Sequence, residues 1–222
     1  MVRRALLASV FFLVAGCFPA PLDETGKNCS ADHPCGDGFT CFDLRCFSND
    51  GGIDAGPENW LLNSDFEMLN DAGSILGWRA VNGADLDPDS FAPHHGNYAA
   101  RIFSDDGGTP TLVPNQPPVK NTLLGQIWCA RAWTRAEYAG DSGMPVVLFI
   151  QERYDDGGTP NNSTPTRPKV YREWVLQEES YVTQGADKLD ARVAFGQRAR
   201  KGEAVFVDEM KLKRIVSGPC TW

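Results

Sequence analysis

The groups in this 222-residue sequence that could do chemistry are 29 carboxylates, three histidines and seven cysteines, and their arrangement argues against catalysis. Glycoside hydrolysis needs two carboxylates about 5 to 9.5 Å apart, one with a raised pKa, but the acids here fall mostly in turns and no motif marks such a pair. A Ser-His-Asp relay would need His33, His94 or His95 as its base, and nothing singles one of them out. The sequence has no G-x-S-x-G, no H-E-x-x-H and no phosphate loop. His94 and His95 are adjacent, so on an extended segment they point to opposite faces; a loop pair that satisfies itself is expected there, not a transition-metal site. No enzyme activity is expected.

Binding is better served by these residues. In the strand expected from Gln126 to Arg135, Trp128, Ala130 and Ala132 share a face suited to the core, while Cys129, Arg131, Trp133 and Arg135 share the other. A tryptophan flanked by arginines suits a sugar, because the indole covers the C–H surface of the ring and the guanidinium donates to hydroxyls. Gln151 and Arg153 project opposite to Leu148 and Ile150 in the next run, and would line the same groove if the two strands pair. The alternative is that Trp133 plugs the second side of the domain and Arg131 is solvated, since large aromatics are usually buried.

The elements that must position these side chains are short strands. Tyr98, Ala100 and Ile102 alternate with Ala99, Arg101 and Phe103; Val146, Leu148 and Ile150 alternate with Val147, Phe149 and Gln151; Val193 and Phe195 belong to a third series. No window has a long helical period. Turn clusters separate the runs, and the hexapeptide Asp105 to Pro110 recurs at Asp155 to Pro160, which reads as two loops, equivalent hairpin ends if the strands allow. From Asn59 to Trp222 the chain therefore reads as one all-β domain, a β-sandwich or jelly roll. The net charge of -8 disfavours general binding to nucleic acid or to an anionic lipid surface, both of which want a basic surface.

The N-terminal quarter has a different character. Arg3 and Arg4 precede an apolar run from Ala5 to Ala15, broken only by Ser9; it is shorter than the roughly 20 residues of a membrane span and fits the core of a signal peptide. Leu13-Val14-Ala15-Gly16-Cys17 resembles a bacterial lipobox, which implies cleavage before Cys17 and lipidation of its sulfur. Two or three acyl chains hold a protein durably at a membrane, and Phe18 after the cysteine points to the outer membrane under the best-known sorting rule. With Cys17 taken by lipid, Cys29, Cys35, Cys41, Cys46, Cys129 and Cys220 remain, an even set in an oxidising compartment. Their spacing lacks the close pairs of structural zinc sites. Cys129 and Cys220 are expected to join, clamping the C-terminus to the sandwich. The other four would staple a mini-domain with little else to bury, Cys29 to Cys41 and Cys35 to Cys46 being favoured among three connectivities. The organisation is thus a signal peptide (1–16), an acidic tether (17–28), a Cys-rich mini-domain (29–47), a Gly/Asp linker (48–58) and the β domain (59–222).

Within that last part several motifs fall in order. Leu61-Leu62-Asn63-Ser64-Asp65-Phe66-Glu67, Leu76-Gly77-Trp78, His94-His95-Gly96-Asn97-Tyr98-Ala99-Ala100-Arg101-Ile102, Leu124 to Trp128, Ala132 to Ala136, Glu173-Trp174 and Val205 to Leu212 together resemble carbohydrate-binding modules of the family 4/9/22 type, the galactose-binding-like jelly roll. His95 stands where the pattern has serine. The resemblance implies a jelly roll, a glycan or polysaccharide ligand, and a structural calcium whose side-chain ligands would be Glu67 and Asp208. Around Asp208 the alternation also changes phase, from Val205 and Val207 to Met210 and Leu212, which requires a bulge at Asp208-Glu209. The expected protein is a non-catalytic lipoprotein of the bacterial envelope displaying a glycan-binding sandwich. The second reading is a structural or adhesion lipoprotein whose sandwich contacts an envelope protein and has no sugar site.

Overall fold

The computed structural model describes residues 59–222 apart from 105–106, 116–117, 138–142, 166–167 and 216, together with residues 33–34 and the strand pair at 39–42 and 45–48. That pair, β1 (Phe39–Phe42) and β2 (Arg45–Ser48), is an antiparallel ladder inside the Cys-rich segment. The pairing of Cys29, Cys35, Cys41 and Cys46, like Cys17 and the signal peptide, lies outside what is described.

Among the described residues, twelve strands build the main domain. They are β3 (Trp78–Val81), β4 (Asp85–Asp89), β5 (Ala99–Phe103), β6 (Thr111–Pro114), β7 (Val119–Lys120), β8 (Ile127–Ala136), β9 (Met144–Arg153), β10 (Asn161–Asn162), β11 (Lys169–Val170), β12 (Val175–Val182), β13 (Lys188–Phe195) and β14 (Ala204–Ile215). One sheet has five strands in the order β12-β8-β14-β5-β4; the other has seven, β10-β9-β13-β6-β3 with β11 on β9 and β7 on β13. Successive long strands change sheet, β8 to β9 and β12 to β13 to β14, and this crossing makes the sandwich a jelly roll. Pro88 is tolerated because β4 is an edge strand.

Period-two burial decides which side chains meet between the sheets. Trp128, Ala130, Ala132 and Ala136 of β8 pack with Val205, Val207, Met210 and Leu212 of β14 against Met144, Val146, Leu148 and Ile150 of β9 and Leu189, Ala191, Val193 and Phe195 of β13. The phase change in β14 is met by the expected bulge: the register with β8 slips between Asp208 and Lys211, and Glu209 takes a left-handed φ of 45°. Glu152 is a carboxylate on the inner face of β9 and is fully buried. It is satisfied by the hydroxyls of Thr122 at 2.8 Å and Tyr181 at 2.9 Å and by the backbone N–H of Gln184 at 2.8 Å, as a buried polar group must be.

Both ends of the domain are tied to β14 and β8. Asn59 accepts from the N–H groups of Leu61 and Leu212, and the Trp60 N–H donates to Leu212 O at 2.8 Å. Cys129 and Cys220 form the expected disulfide, with Cα atoms 5.8 Å apart and a separation of 91 positions in sequence. The two copies of the hexapeptide are not equivalent. The second closes the β9–β10 hairpin, whereas the first lies between β5 and β6, which belong to different sheets.

Candidate functional site

Three motifs converge at one corner of the sandwich. Asn63 and Phe66 adopt left-handed φ values of 43° and 59°, and this turn buries Phe66 against Trp78, ring centroids 5.2 Å apart. The turn aims Glu67 at the loop before β5. Glu67 Oε1 accepts from the N–H groups of Asn97 (2.7 Å) and Tyr98 (2.9 Å), and Oε2 accepts from the Asn97 side-chain amide at 2.8 Å. A Cβ at Gly96 would lie 2.3 Å from Glu67 Oε1, and its φ is +71°, so both space and backbone require glycine there. Asp208, fully buried at the bulge, accepts from the N–H groups of His94 (2.9 Å), His95 (3.0 Å) and Glu209 (2.7 Å). Burial pushes the Asp208 carboxyl up to about 6 against the pull of these donors. For Glu67, burial pushes upward, but Tyr98, Asn97 and His95 together bring its pKa below the ordinary value.

This donor set bears on the calcium that the resemblance implies. Each carboxylate accepts from three N–H donors, which hold it in place by themselves. Among the described residues no group of three His, Cys, Asp or Glu side chains is gathered for a metal. Glu67 and Asp208 staple the 94–98 loop to the turn and to the bulge.

The outward face of the five-stranded sheet carries Arg131, Trp133 and Arg135 in alternation with buried neighbours, as the sequence implies. Here Trp133 already has a partner. The His94 ring stacks on it with centroids 4.0 Å apart and planes at 16°, and His94 meets Trp174 edge-on at 5.7 Å. His94 Nδ1 is 2.6 Å from Glu209 Oε2, which holds the imidazole in place. Arg135 lies over Phe206 at 4.0 Å and Trp174 at 5.2 Å and is 3.7 Å from Asp89. Arg131 sits over Trp222, 4.8 Å from the ring centroid, as does Lys213 at 4.5 Å; the nearby disulfide brings this C-terminal tryptophan onto the sheet. Cys129 points outward and is nonetheless fully buried. This face is largely occupied by its own chain.

Gln151 and Arg153 are not in the same groove. β8 and β9 belong to opposite sheets, so the pairing that would have joined the four residues does not occur. Gln151 and Arg153 lie instead on the outward face of the seven-stranded sheet, beside residues that the sequence reading did not select. Phe149, half-buried, is the cross-strand partner of Arg192, and Asp190 is the partner of Gln151. The Asp190 side chain is 1% exposed and accepts from Arg153 Nη2 at 2.7 Å, Arg192 Nε at 2.6 Å and Arg192 Nη2 at 3.0 Å. Gln151 donates through Nε2 to Asn162 Oδ1 at 2.8 Å. An aromatic ring, two guanidiniums held in fixed orientation by one carboxylate, and a pair of amides thus share one face. Alternation could have found Phe149, Asp190 and Arg192, since each is out of phase with a core series; only the register shows that they adjoin.

No family model matches the sequence, and no curated protein matches it. Solved structures match the fold. The CBM22-1 xylan-binding domain from Paenibacillus barcinonensis Xyn10C superposes with a TM-score of 0.52 at 14% identity, over 70% of this chain and 94% of that one. The arabinose-bound MgGH51 α-L-arabinofuranosidase gives 0.54 at 17% identity over 74% of this chain, but only 27% of that enzyme is covered. The enzymatically active domain of tailspike protein 4 from bacteriophage CBA120 gives 0.51 at 9% identity, over 71% of this chain and 22% of that one. The domain from Asn59 onward has the jelly-roll fold found in carbohydrate-binding modules.

Proposed function

We propose that this chain is a non-catalytic lipoprotein that binds a glycan, and that the glycan lies on the outward face of the seven-stranded sheet. The observation that carries the proposal is the Phe149 ring beside Arg192, with Asp190 fixing both Arg192 and Arg153. An aromatic face covers the C–H side of a sugar, and donors and acceptors held at fixed angles choose among its hydroxyls. The likeness to a xylan-binding domain supports the same reading. Trp133, the platform suggested by the sequence, is assigned a packing role because His94 covers it. Lipidation of Cys17 places the domain at the bacterial envelope, with the 48–58 segment as spacer; Cys17→Ser should move the protein out of the membrane fraction.

The glycan reading is tested by affinity electrophoresis through gels containing soluble xylan, β-glucan, mannan or polygalacturonate. At least one should retard the wild type, and Phe149→Ala should remove that retardation without unfolding the protein. If no polysaccharide retards it and crosslinking recovers a single envelope protein, the adhesion reading replaces this one.

A further inference from the structure

The two outward faces differ in charge, which the overall composition conceals. On the five-stranded sheet the acids Asp85, Asp87, Asp89, Asp208 and Glu178 are mixed with arginines and lysines. On the seven-stranded sheet the register puts Lys120 and Arg153 both opposite Lys188, Lys169 opposite Pro145, and Arg192 opposite Phe149, while Arg79 follows the core residue Trp78 on β3. All six cations share the Phe149 face. Asp190 is the one acid that the described strands of this sheet place there, with Asp155 reaching Lys188 from a turn.

Folding does not call for this excess. Lys120, Lys188 and Arg153 form a row of like charges across three neighbouring strands, an unfavourable arrangement that Asp155 on Lys188 and Asp190 on Arg153 offset only in part, leaving Lys120 without an acid among the described residues. The exposed side chains of Arg79, Lys120 and Lys169 make no hydrogen bond or ion pair with any described residue. In a protein of net charge -8, unspent positive charge spread over the same sheet face as a half-buried phenyl ring and two amides needs another explanation. We infer that the face takes an acidic glycan, a polysaccharide bearing carboxylate groups, with Phe149 under a sugar ring and the cations facing the carboxylates. This rests on the glycan-binding reading above. A single ring with flanking amides suits a hydroxyl-rich chain, whereas a single-stranded nucleic acid is held on several stacked aromatics.

The test runs the full chain through gels holding polygalacturonate, its fully methyl-esterified form, or neutral xylan, at low and at high salt. Polygalacturonate should retard it most, and salt should reduce the effect, because exposed charges are screened. The triple variant R79Q/K120Q/K169Q, which removes no hydrogen bond or ion pair among the described residues, should bind about tenfold more weakly with its melting temperature kept within about 3 °C. Equal retardation by ester, xylan and acid, untouched by the triple variant but lost in Phe149→Ala, would overturn the acidic assignment and leave the glycan reading intact. Retardation by DNA equal to that by polygalacturonate, with Phe149→Ala having no effect, would overturn it in favour of a general polyanion surface. No retardation on any gel would remove both readings.

Discussion

Replacing Trp133 with alanine separates the face that packs from the face that binds. Trp133 is half-buried on the outward side of β8, stacked on His94 at 4.0 Å and opposite Leu176 on β12. A buried tryptophan hides about 150–250 Å². Taking the lower figure for a half-buried ring, at about 25 cal/mol per Å², its loss costs about 3 to 4 kcal/mol. The stacked pair adds about 0.5–1.5 kcal/mol, so the total is about 4 to 5 kcal/mol, near the upper end of the usual range of about 3–5 for such truncations. Urea unfolding followed by far-UV circular dichroism should show this loss, and the melting temperature should fall by about 10 °C. A double-mutant cycle with His94→Ala should return a coupling of about 0.5–1.5 kcal/mol. Glycan retardation of the folded variant should be unchanged. A stability loss below about 1 kcal/mol together with abolished retardation would refute the argument and return the sugar site to Trp133.

Three further outcomes are expected. Cys220→Ser should release the C-terminal segment and its Trp222 from Arg131 and Lys213, and lower stability by about 4 to 5 kcal/mol on the chain-entropy account of a loop spanning 91 residues; an unreduced peptide map lacking the Cys129–Cys220 link would contradict the pairing. Glu179 lies opposite Ala130, and burial raises its pKa despite the Ser163 hydroxyl. Its protonated form therefore contributes stability that is present at acid pH and lost as pH rises through the folded-state pKa, so Glu179→Gln should flatten that part of the stability–pH curve measured by urea titration. For Glu67 and Asp208, dialysis against chelator should leave the melting temperature unchanged; one calcium per chain by atomic absorption, with a melting shift on its removal, would place the cation there after all.

The sequence and the structure agree wherever the relevant physics is local. Alternation in β8 sorted Trp128, Ala130 and Ala132 to the core and Arg131, Trp133 and Arg135 outward, because successive Cβ atoms of a strand point to opposite sides whatever the strand's neighbours. The phase change at Asp208 forced a bulge for the same reason. Pairing of Cys129 with Cys220 was legible from the even count left after Cys17 and from the small separate cluster formed by the other four. The motif order pointed to the jelly roll, since Asn63, Phe66, Glu67 and Gly96 serve one corner whose contacts need those residue types.

What a strand pairs with is a long-range matter, and there the sequence is silent. Nothing in Gln126 to Arg135 or Met144 to Arg153 says that the two strands part into opposite sheets, and that separation divides Arg131 and Trp133 from Gln151 and Arg153. The stacking of His94 on Trp133 joins residues 39 positions apart through a loop held by Asp208. The basic face is likewise a product of register alone: Lys120, Arg153 and Lys188 are scattered through an acidic chain and become a row only when β7, β13 and β9 pair. The sequence by itself determined the sidedness of each strand, which depends on backbone geometry one residue at a time. Only the tertiary structure decided which sides face each other and which face solvent together, because that choice is made by the burial of the whole core at once.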